Sequence, residues 1–318
     1  MRAIFNRPGP AWRTAALAGA ALLMAGCRPS PVAPPRPVAR LDPAAVDGER
    51  ALGEVAALVA LGLRDAGTPG AAAAADHIRG RLRAVGVEAE IEEFEDETPF
   101  GPRTFRNVVG RLPGRGEGLI ILGSHFDTKR GMPDGFQGAN DSGSSTGLLI
   151  ELARVLRAGP VLGPEIRFAF FDGEECLIQY GPRDGLHGSR HMARALVDRQ
   201  RARDVLAVLV LDMIGDRDLT VMIPRNTHPD LARALFAAAA EEGVRERFRL
   251  SPTSILDDHA PFLQAGMPAA LLIDFEYGSG PGRNDYWHTA EDTLDKLSAE
   301  SLTLVGRVVV RFLNGFLH

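Results

Sequence analysis

Residues 166–175, IRFAFFDGEE, constrain the fold most strongly, because a short apolar run ends directly in two adjacent carboxylates. The aromatic and β-branched side chains of residues 166–171 predict a strand that is buried on both faces of a mostly parallel sheet. An aspartate and a glycine end this strand. Glu174 and Glu175 are therefore predicted on the loop at its carboxyl end, where open α/β sheets gather ligand-binding residues.

The two glutamates need a positive partner if they are buried, because neighbouring carboxylates repel each other and lose hydration. A metal ion would meet this need, with one glutamate binding it and the other acting as a general base or acid. A solvated acidic turn is the alternative for such a pair in isolation. The residues at other strand ends favour the metal site.

Further ionisable residues follow other predicted strands. Residues 118–124 form a buried strand that is followed by His125 and Asp127, and alternate residues of an extended chain face the same side. This spacing fits a metal-bound imidazole and a carboxylate that orients a neighbouring ligand. Asp141 precedes a helix predicted over 144–156, so its carboxylate either caps that helix or binds a metal.

The second half of the chain repeats this pattern. Residues 205–211 form a buried strand that ends at Asp212, and Asp257 lies at the start of a short helix. A last buried strand, residues 269–273, leads through a glycine-rich loop to His288. The recurrence of Asp, Glu and His near strand ends predicts that these side chains meet at the carboxyl edge of the sheet.

The remaining pattern indicates one large α/β domain. Further helices are predicted at 47–63, 69–85, 187–197, 228–243 and 298–316, and further strands at 87–94, 105–112 and 219–223. His187 and His191 have the i,i+4 spacing of some zinc sites, but the arginines around them and the lack of an intervening glutamate argue against ligation. Cys176 is predicted to be a small buried thiol.

The N-terminal 26 residues are predicted to be a signal peptide, because three arginines precede an apolar run at 15–25. This run is short for a transmembrane helix. The small residues before Cys27 resemble the lipobox of bacterial lipoproteins, so Cys27 is the expected lipidation site. Residues 27–45 are rich in proline and predict an extended tether, which leaves 46–318 as the folded domain.

The expected location is the cell envelope, with the membrane contacted only through the N-terminal lipid. The residue after Cys27 is not aspartate, which favours the outer membrane and a domain facing the periplasm. Removing residues 1–26 takes away three arginines and changes the formal net charge from -5 to -8, which argues against nucleic acid as a partner. Lipidation would leave Cys176 without a disulfide partner in the chain. We expect a monomer.

The order H-x-D, N-D, E-E, D and H resembles the zinc aminopeptidase superfamily. Longer motifs, spread over about residues 47 to 318, resemble animal-type glutaminyl-peptide cyclotransferases (glutaminyl cyclases) within it. These motifs are TPG at 68–70, ETPFGPRTFRNVV at 97–109, SHFDTK at 124–129, FFDGEE at 170–175, DGLHGSRHMA at 184–193, LDMIG at 211–215, LDDHAPFL at 256–263 and YWHT at 286–289.

The resemblance implies a single-domain, three-layer α/β/α fold with a central twisted, mixed and mostly parallel sheet. It implies a zinc ion held by Asp141, Glu175 and His288, with a fourth position open for substrate. It also implies that Glu174 transfers protons and that Asp212 belongs, with Asp257, to a hydrogen-bonded acidic relay.

The substrate pocket implied by the resemblance contains Trp287. Three features depart from the animal enzymes: Tyr180 stands where a pocket tryptophan is expected, Leu271 replaces a histidine, and the loop 274–286 is longer and rich in glycine. These departures affect the expected walls of the pocket and the substrate range.

The implied reaction converts the N-terminal glutamine of peptides or proteins to pyroglutamate and releases ammonia. A zinc aminopeptidase that hydrolyses N-terminal residues is one alternative, and an inactive binding module is another. His125 and Asp212 would complete a second zinc site, as in the related aminopeptidases. The sequence thus leaves the number of zinc ions, one or two, undecided.

Overall fold

A computed structural model describes residues 40–317, which belong to one compact unit. The predicted signal peptide, Cys27 and most of the predicted tether lie outside the described residues. Within residues 40–317 the seven α-helices are α1 Gly48–Val59, α2 Pro69–Ala84, α3 Ser145–Ala158, α4 His187–Asp198, α5 Pro229–Glu241, α6 Ala260–Gln264 and α7 Ala299–Leu313. The eight strands are β1 Glu88–Thr98, β2 Gly101–Leu112, β3 Leu119–His125, β4 Glu165–Phe171, β5 Val205–Asp212, β6 Val221–Ile223, β7 Phe248–Leu250 and β8 Ala269–Ile273.

The eight strands form one mixed sheet in the order β1-β2-β4-β3-β5-β8-β6-β7. Its centre, β4-β3-β5-β8, is parallel, while β1, β2 and β6 run antiparallel to their inner neighbours. The central strands are almost wholly buried and apolar, as expected for strands covered on both faces. The predicted α/β class and the mixed, mostly parallel sheet are confirmed.

Helices cover both faces of the sheet and give three layers. Side chains alternate along each strand, so Ile120 and Leu122 of β3 face one core while Leu119 and Ile121 face the other. The first and larger core includes residues of α1, α2, α3, α5 and α7. The second core includes residues of α4 and α6. The three-layer α/β/α prediction is therefore correct.

The bounds of several elements differ from the sequence prediction: β1 extends to Thr98 instead of 94, β2 begins at Gly101 instead of 105, and α7 ends at Leu313 instead of 316. Two further differences have a clear physical reason. The first helix ends at Val59 rather than near residue 63, because the chain turns through Gly62, whose φ is 87°, a conformation that favours glycine. The strand β7, Phe248–Leu250, was not predicted, since three residues with an arginine in the middle carry no clear alternation. It forms the outer edge of the sheet beyond β6.

The close approach of α1 and α3 gives a test of the packing. A Cβ atom added at Gly147 in α3 would lie 2.5 Å from Val55 Cγ2 and 2.7 Å from the carbonyl oxygen of Ala51. Because a backbone oxygen cannot move without moving α1, Gly147→Ala should lower the free energy of unfolding by about 1–3 kcal/mol.

The matched control for Gly147→Ala is the same substitution in the interior of α2. Nothing lies within 4 Å of a Cβ atom added at Gly80, so Gly80→Ala should raise the free energy of unfolding by about 0.5–1 kcal/mol through helix propensity. Urea denaturation of both variants measures the two effects. Equal effects in the two variants would contradict the packing described for Gly147.

Candidate active site and metal centre

The predicted site residues meet at the carboxyl edge of the parallel strands. His125 is the last residue of β3, Asp212 is the last residue of β5, and Glu174 and Glu175 follow β4. The turn after β4 requires a glycine, because Gly173 has a φ of 75° and an added Cβ would lie 2.5 Å from the ring of Phe105. The strand directions therefore place side chains that are distant in sequence around one site.

Three of these side chains, Asp141, Glu175 and His288, form the first donor group. One potential ligand atom from each lies within 4.8 Å of the others. His288 Nε2 is 2.8 Å from Glu175 Oε1 and 3.1 Å from Asp141 Oδ2. Asp141 and Glu175 are buried. Asp141 does not cap α3, since its carboxylate points to imidazoles and that helix starts only at Ser145.

The electrostatics of this group favour a positive charge between the two carboxylates. Burial lowers the pKa of His288, but hydrogen bonds to Asp141 and Glu175 outweigh this effect and raise it to about 9. A proton on the imidazole or a metal ion meets the same need. His288 also adopts a left-handed backbone conformation with a φ of 57°, which is uncommon outside glycine and concentrates at functional sites.

A metal ion fits the donors of the first group. Glu175 Oε2 is buried without a hydrogen-bond partner among the described residues, although Lys129 Nζ lies 3.3 Å away. Two carboxylates and one imidazole leave one position of a tetrahedral zinc open, which is the arrangement of catalytic zinc sites. The cluster is therefore compatible with a metal site.

A second donor group shares Asp141 with the first and adds His125 and Asp212. His125 Nε2 lies 3.2 Å from Asp141 Oδ1 and 3.3 Å from Asp212 Oδ1. Burial lowers the pKa of His125, but the carboxylates around it raise that pKa well above its usual value. Asp212 Oδ1 is buried without a well-aligned hydrogen bond within residues 40–317, although His125 Nε2 lies 3.3 Å away.

Asp127 holds the loop that carries the glutamate pair. Its Oδ1 and Oδ2 accept the backbone N–H groups of Glu174 and Glu175 at 3.1 and 3.2 Å. Asp127 Oδ1 also lies 3.4 Å from Nδ1 of His125. The structure thus brings Asp127 next to both His125 and the glutamate loop, and the contact with the loop was not predicted.

Glu174 lies beside the first donor group and contacts Tyr180. The Tyr180 hydroxyl is 3.0 Å from each carboxylate oxygen of Glu174. Burial raises the pKa of Glu174 well above its usual value, and the charges of Glu175 and Asp257 add to the rise. Among residues 40–317, no direct hydrogen bond joins Glu174, Asp212 and Asp257, so their predicted relay is seen only as proximity around one cavity.

A cavity of about 500 Å³ opens onto these groups. Trp287 and Tyr180 line it, and Trp287 packs against Phe275 with ring centroids 5.1 Å apart. Leu271 does not line the cavity, because it lies fully buried in β8 within the second core. Its departure from the animal enzymes therefore affects the core and not the pocket wall, which corrects the sequence-based expectation.

The two histidines of α4 take no part in this site. The ring of His187 stacks on Phe105, and the ring of His191 stacks on Phe94 at a centroid distance of 3.9 Å. His187 Nδ1 also pairs with Asp96 at 2.8 Å. Both rings therefore pack against aromatic side chains, whereas the sequence pattern argued only against zinc ligation.

Sequence reasoning missed three residues next to the site. Lys129, within the SHFDTK motif, lies 2.7 Å from the Cys176 carbonyl oxygen and 3.2 Å from its buried thiol. Arg64 is fully buried and donates to backbone carbonyls on the loop before Asp141. Asp292 accepts from the backbone of that loop. The only sequence signal for these three residues was a charged side chain within an otherwise apolar or motif-rich stretch.

Comparisons with known proteins agree with this site. Residues 107–313 match peptidase family M28. The glutaminyl-peptide cyclotransferase of Bothrops jararaca is 30% identical over 292 residues, which span 78% of this chain and 77% of the relative. The crystal structure of an Acidobacteriales bacterium glutaminyl cyclase is 34% identical with a TM-score of 0.79, and the match covers 91% of this chain and 98% of that one.

A leucine aminopeptidase precursor from Bacteroides thetaiotaomicron is also similar, with a TM-score of 0.74 over 87% of this chain and 98% of that one. Its identity of 23% shows a common fold alone. The match over residues 107–313 includes every residue of the two donor groups and Glu174. The chain therefore belongs to peptidase family M28, in the branch of the glutaminyl-peptide cyclotransferases.

Proposed function

We propose that this protein is a glutaminyl-peptide cyclotransferase, an acyltransferase that converts the N-terminal glutamine of peptides or proteins to pyroglutamate and releases ammonia. The observation that carries this proposal is the buried Glu174 beside a three-donor metal group, in a cavity walled by Trp287 and Tyr180. Such a site holds a proton acceptor within reach of a folded N-terminal residue.

The proposed cofactor is zinc, held by Asp141, Glu175 and His288. These residues would hold the ion, which would supply Lewis-acid chemistry for polarising the side-chain amide carbonyl of the substrate glutamine. Lys129 Nζ lies 3.3 Å from Glu175 Oε2 and balances the charge of that carboxylate. Asp127 holds the loop on which Glu175 lies, through the backbone N–H of that residue.

Glu174 moves the proton in the proposed reaction. Its carboxylate takes a proton from the α-amine of the substrate as the amine nitrogen forms a bond to the Cδ atom of the glutamine side chain. The same group then gives this proton to the amide nitrogen, so that the Cδ–N bond breaks and ammonia leaves. Burial strengthens Glu174 as a base because it raises the pKa, and the Tyr180 hydroxyl orients its oxygens.

The remaining pocket residues serve orientation and proton balance. Trp287 supplies a flat apolar wall against which the glutamine methylene groups pack. Asp212 and Asp257 form the proposed acidic relay beside Glu174, and burial raises the pKa of both. Tyr180 provides a hydroxyl where the related animal enzymes have a tryptophan, so the pocket is more polar on this side.

A zinc aminopeptidase is the second candidate, and the second donor group favours it. His125, Asp141 and Asp212 converge as a further group that could hold a second ion, and paired metals suit hydrolysis. The two reactions differ in their nucleophile. A peptidase places water against the first peptide bond, whereas a cyclase folds the glutamine side chain towards its own amine.

Product analysis distinguishes the two reactions. Zinc-loaded protein is incubated with a peptide that begins with glutamine and, separately, with leucyl and alanyl amides, and the products are identified by mass spectrometry. We expect loss of ammonia from the glutamine peptide and intact amides. Free N-terminal amino acids without loss of ammonia would assign an aminopeptidase, and no reaction with either substrate would favour a binding module.

The proposed location rests on Cys27. Among residues 40–317, no helix is both long and apolar enough to cross a membrane. We propose a monomeric domain that is exported, anchored by lipid at Cys27 and exposed to the periplasm from the outer membrane.

Cys27→Ala should move the protein from the membrane fraction to the soluble fraction, as measured by fractionation and immunoblotting. Cys176→Ala, which leaves the proposed anchor intact, is the control and should stay with the membrane. A Cys27→Ala protein that stays in the membrane fraction would contradict the anchor.

A further inference from the structure

Asp292 connects the two chain segments that carry Asp141 and His288. Its Oδ1 accepts the backbone N–H of Asn140 at 2.7 Å, and its Oδ2 accepts the backbone N–H of Asp141 at 3.3 Å. Asp292 lies four residues after His288, on the same loop. One buried carboxylate therefore bonds directly to the backbone of one donor residue and shares a short loop with another.

The loop that carries Asp292 is itself held in place. The Asp292 carbonyl oxygen accepts the N–H of Gln137 at 3.1 Å, and its own N–H donates to Thr289 at 3.2 Å. The Tyr277 hydroxyl donates to Asp292 Oδ1 at 3.1 Å. Asp292 is fully buried, so these bonds are shielded from water. Its side chain has little freedom to move relative to the backbone of residues 140 and 141.

The segment before Asp141 is held from a second side by Arg64. This fully buried guanidinium donates to the carbonyl oxygens of Phe126 at 2.9 Å, Gln137 at 3.2 Å and Gly138 at 2.8 Å. It makes no direct ion pair within the described residues, and its charge balances the acidic groups around it. Asp292 thus acts on a segment whose other contacts are also fixed.

We propose that Asp292 is a positioning residue for the metal centre, which sets the separation of Asp141 and His288 and holds both ready before the metal binds. The proposal rests on the proposed assignment of these two residues as zinc ligands. Partners behind the ligands of a metal orient them and commonly contribute 10- to 100-fold to metal affinity, as an order of magnitude. A site held in this way loses little flexibility when zinc enters.

The test compares Asp292→Asn with Asp274→Asn. Asp274 is also fully buried and also accepts two backbone N–H groups, from Thr220 and Glu276, both at 2.9 Å. It holds no segment that carries a proposed zinc ligand. Each substitution turns one N–H acceptor into an amide NH₂, so both variants should lose thermal stability as metal-free proteins.

Zinc affinity is measured by competition with a chromogenic chelator, and the metal environment by the visible spectrum of the cobalt-substituted proteins. Asp292→Asn should bind zinc about 10- to 100-fold more weakly and change the cobalt spectrum. Asp274→Asn should keep the affinity and the spectrum of the wild type. If Asp292→Asn binds zinc as the wild type does, Asp292 is merely structural and the positioning role is overturned.

A second variant covers the case in which Asp292→Asn does not fold. Tyr277→Phe removes one donor to the Asp292 carboxylate and should weaken zinc binding by about two- to tenfold. Unchanged zinc affinity in this variant would then overturn the role. Failure of the underlying assignment has a different signature, because a wild-type protein that binds no zinc contradicts the metal ligands themselves.

Discussion

Replacing Glu174 with glutamine should lower kcat for cyclisation by about 10²- to 10⁴-fold while zinc content stays at the wild-type level. The substitution keeps the size of the side chain and the contact with Tyr180, but an amide accepts no proton from the attacking amine. The proposed ligand Glu175 and the other donors of the first group are unchanged. Stopped assays of ammonia release and metal analysis by mass spectrometry measure the two quantities on the same sample.

Two comparison variants sharpen this test. Glu95→Gln, on an exposed position of β1, makes the same chemical change away from the site and should leave turnover unchanged. Tyr180→Phe removes only the hydroxyl that contacts Glu174 and should have a smaller effect than Glu174→Gln. Undiminished turnover in Glu174→Gln would remove the proposed mechanism, whatever the fate of the metal.

Glu175→Ala and His288→Ala should each lose both bound zinc and activity. Activity should fall by about 10³-fold or more in each variant, since a Lewis-acid metal supplies several kcal/mol to such a reaction. Each removes one of three proposed ligands, and two ligands rarely retain a catalytic zinc. Dialysis against a chelator followed by metal analysis measures retention. An active wild type without metal would contradict the assignment.

The same measurement counts the ions. His77→Ala, on α2 and away from both donor groups, should keep metal and activity and serves as the histidine control. If the wild type holds one zinc per chain, removing His125 should leave that ion in place. If it holds two, His125→Ala should lose one ion and keep the other, because only the second donor group contains this residue.

Much of the candidate site could be predicted, because the sequence shows where buried parallel strands end. Apolar runs such as 166–171 indicate buried strands, and the residues that follow them must lie at one edge if the strands are parallel. His125, Glu174, Glu175 and Asp212 follow this rule directly. Asp141 and His288 lie on loops, and for them the resemblance to a known family supplied what periodicity could not.

Other features came only from the folded chain. The order of the strands places β2 beside β4 and β8 beside β6, and nothing local in the sequence encodes such pairings. The three-residue strand β7 depends on β6 as its partner, and its own sequence is too short to show a period. The sequence alone predicts that the departure at Leu271 affects the pocket wall, because the side of the sheet that Leu271 faces cannot be known until the register of β8 is fixed.

The sequence by itself determined the α/β class, the central buried strands and which ionisable residues lie near their ends, because hydrophobic periodicity and chain direction are local properties. The tertiary structure alone decided that Asp141 lies between His125 and His288, and that Arg64 and Asp292 are buried behind it. Asp141 and Asp292 are separated by 151 residues. Their contact requires two loops that meet at one edge of the sheet. Whether a charged side chain there is buried depends on this tertiary contact and not on its neighbours in the sequence.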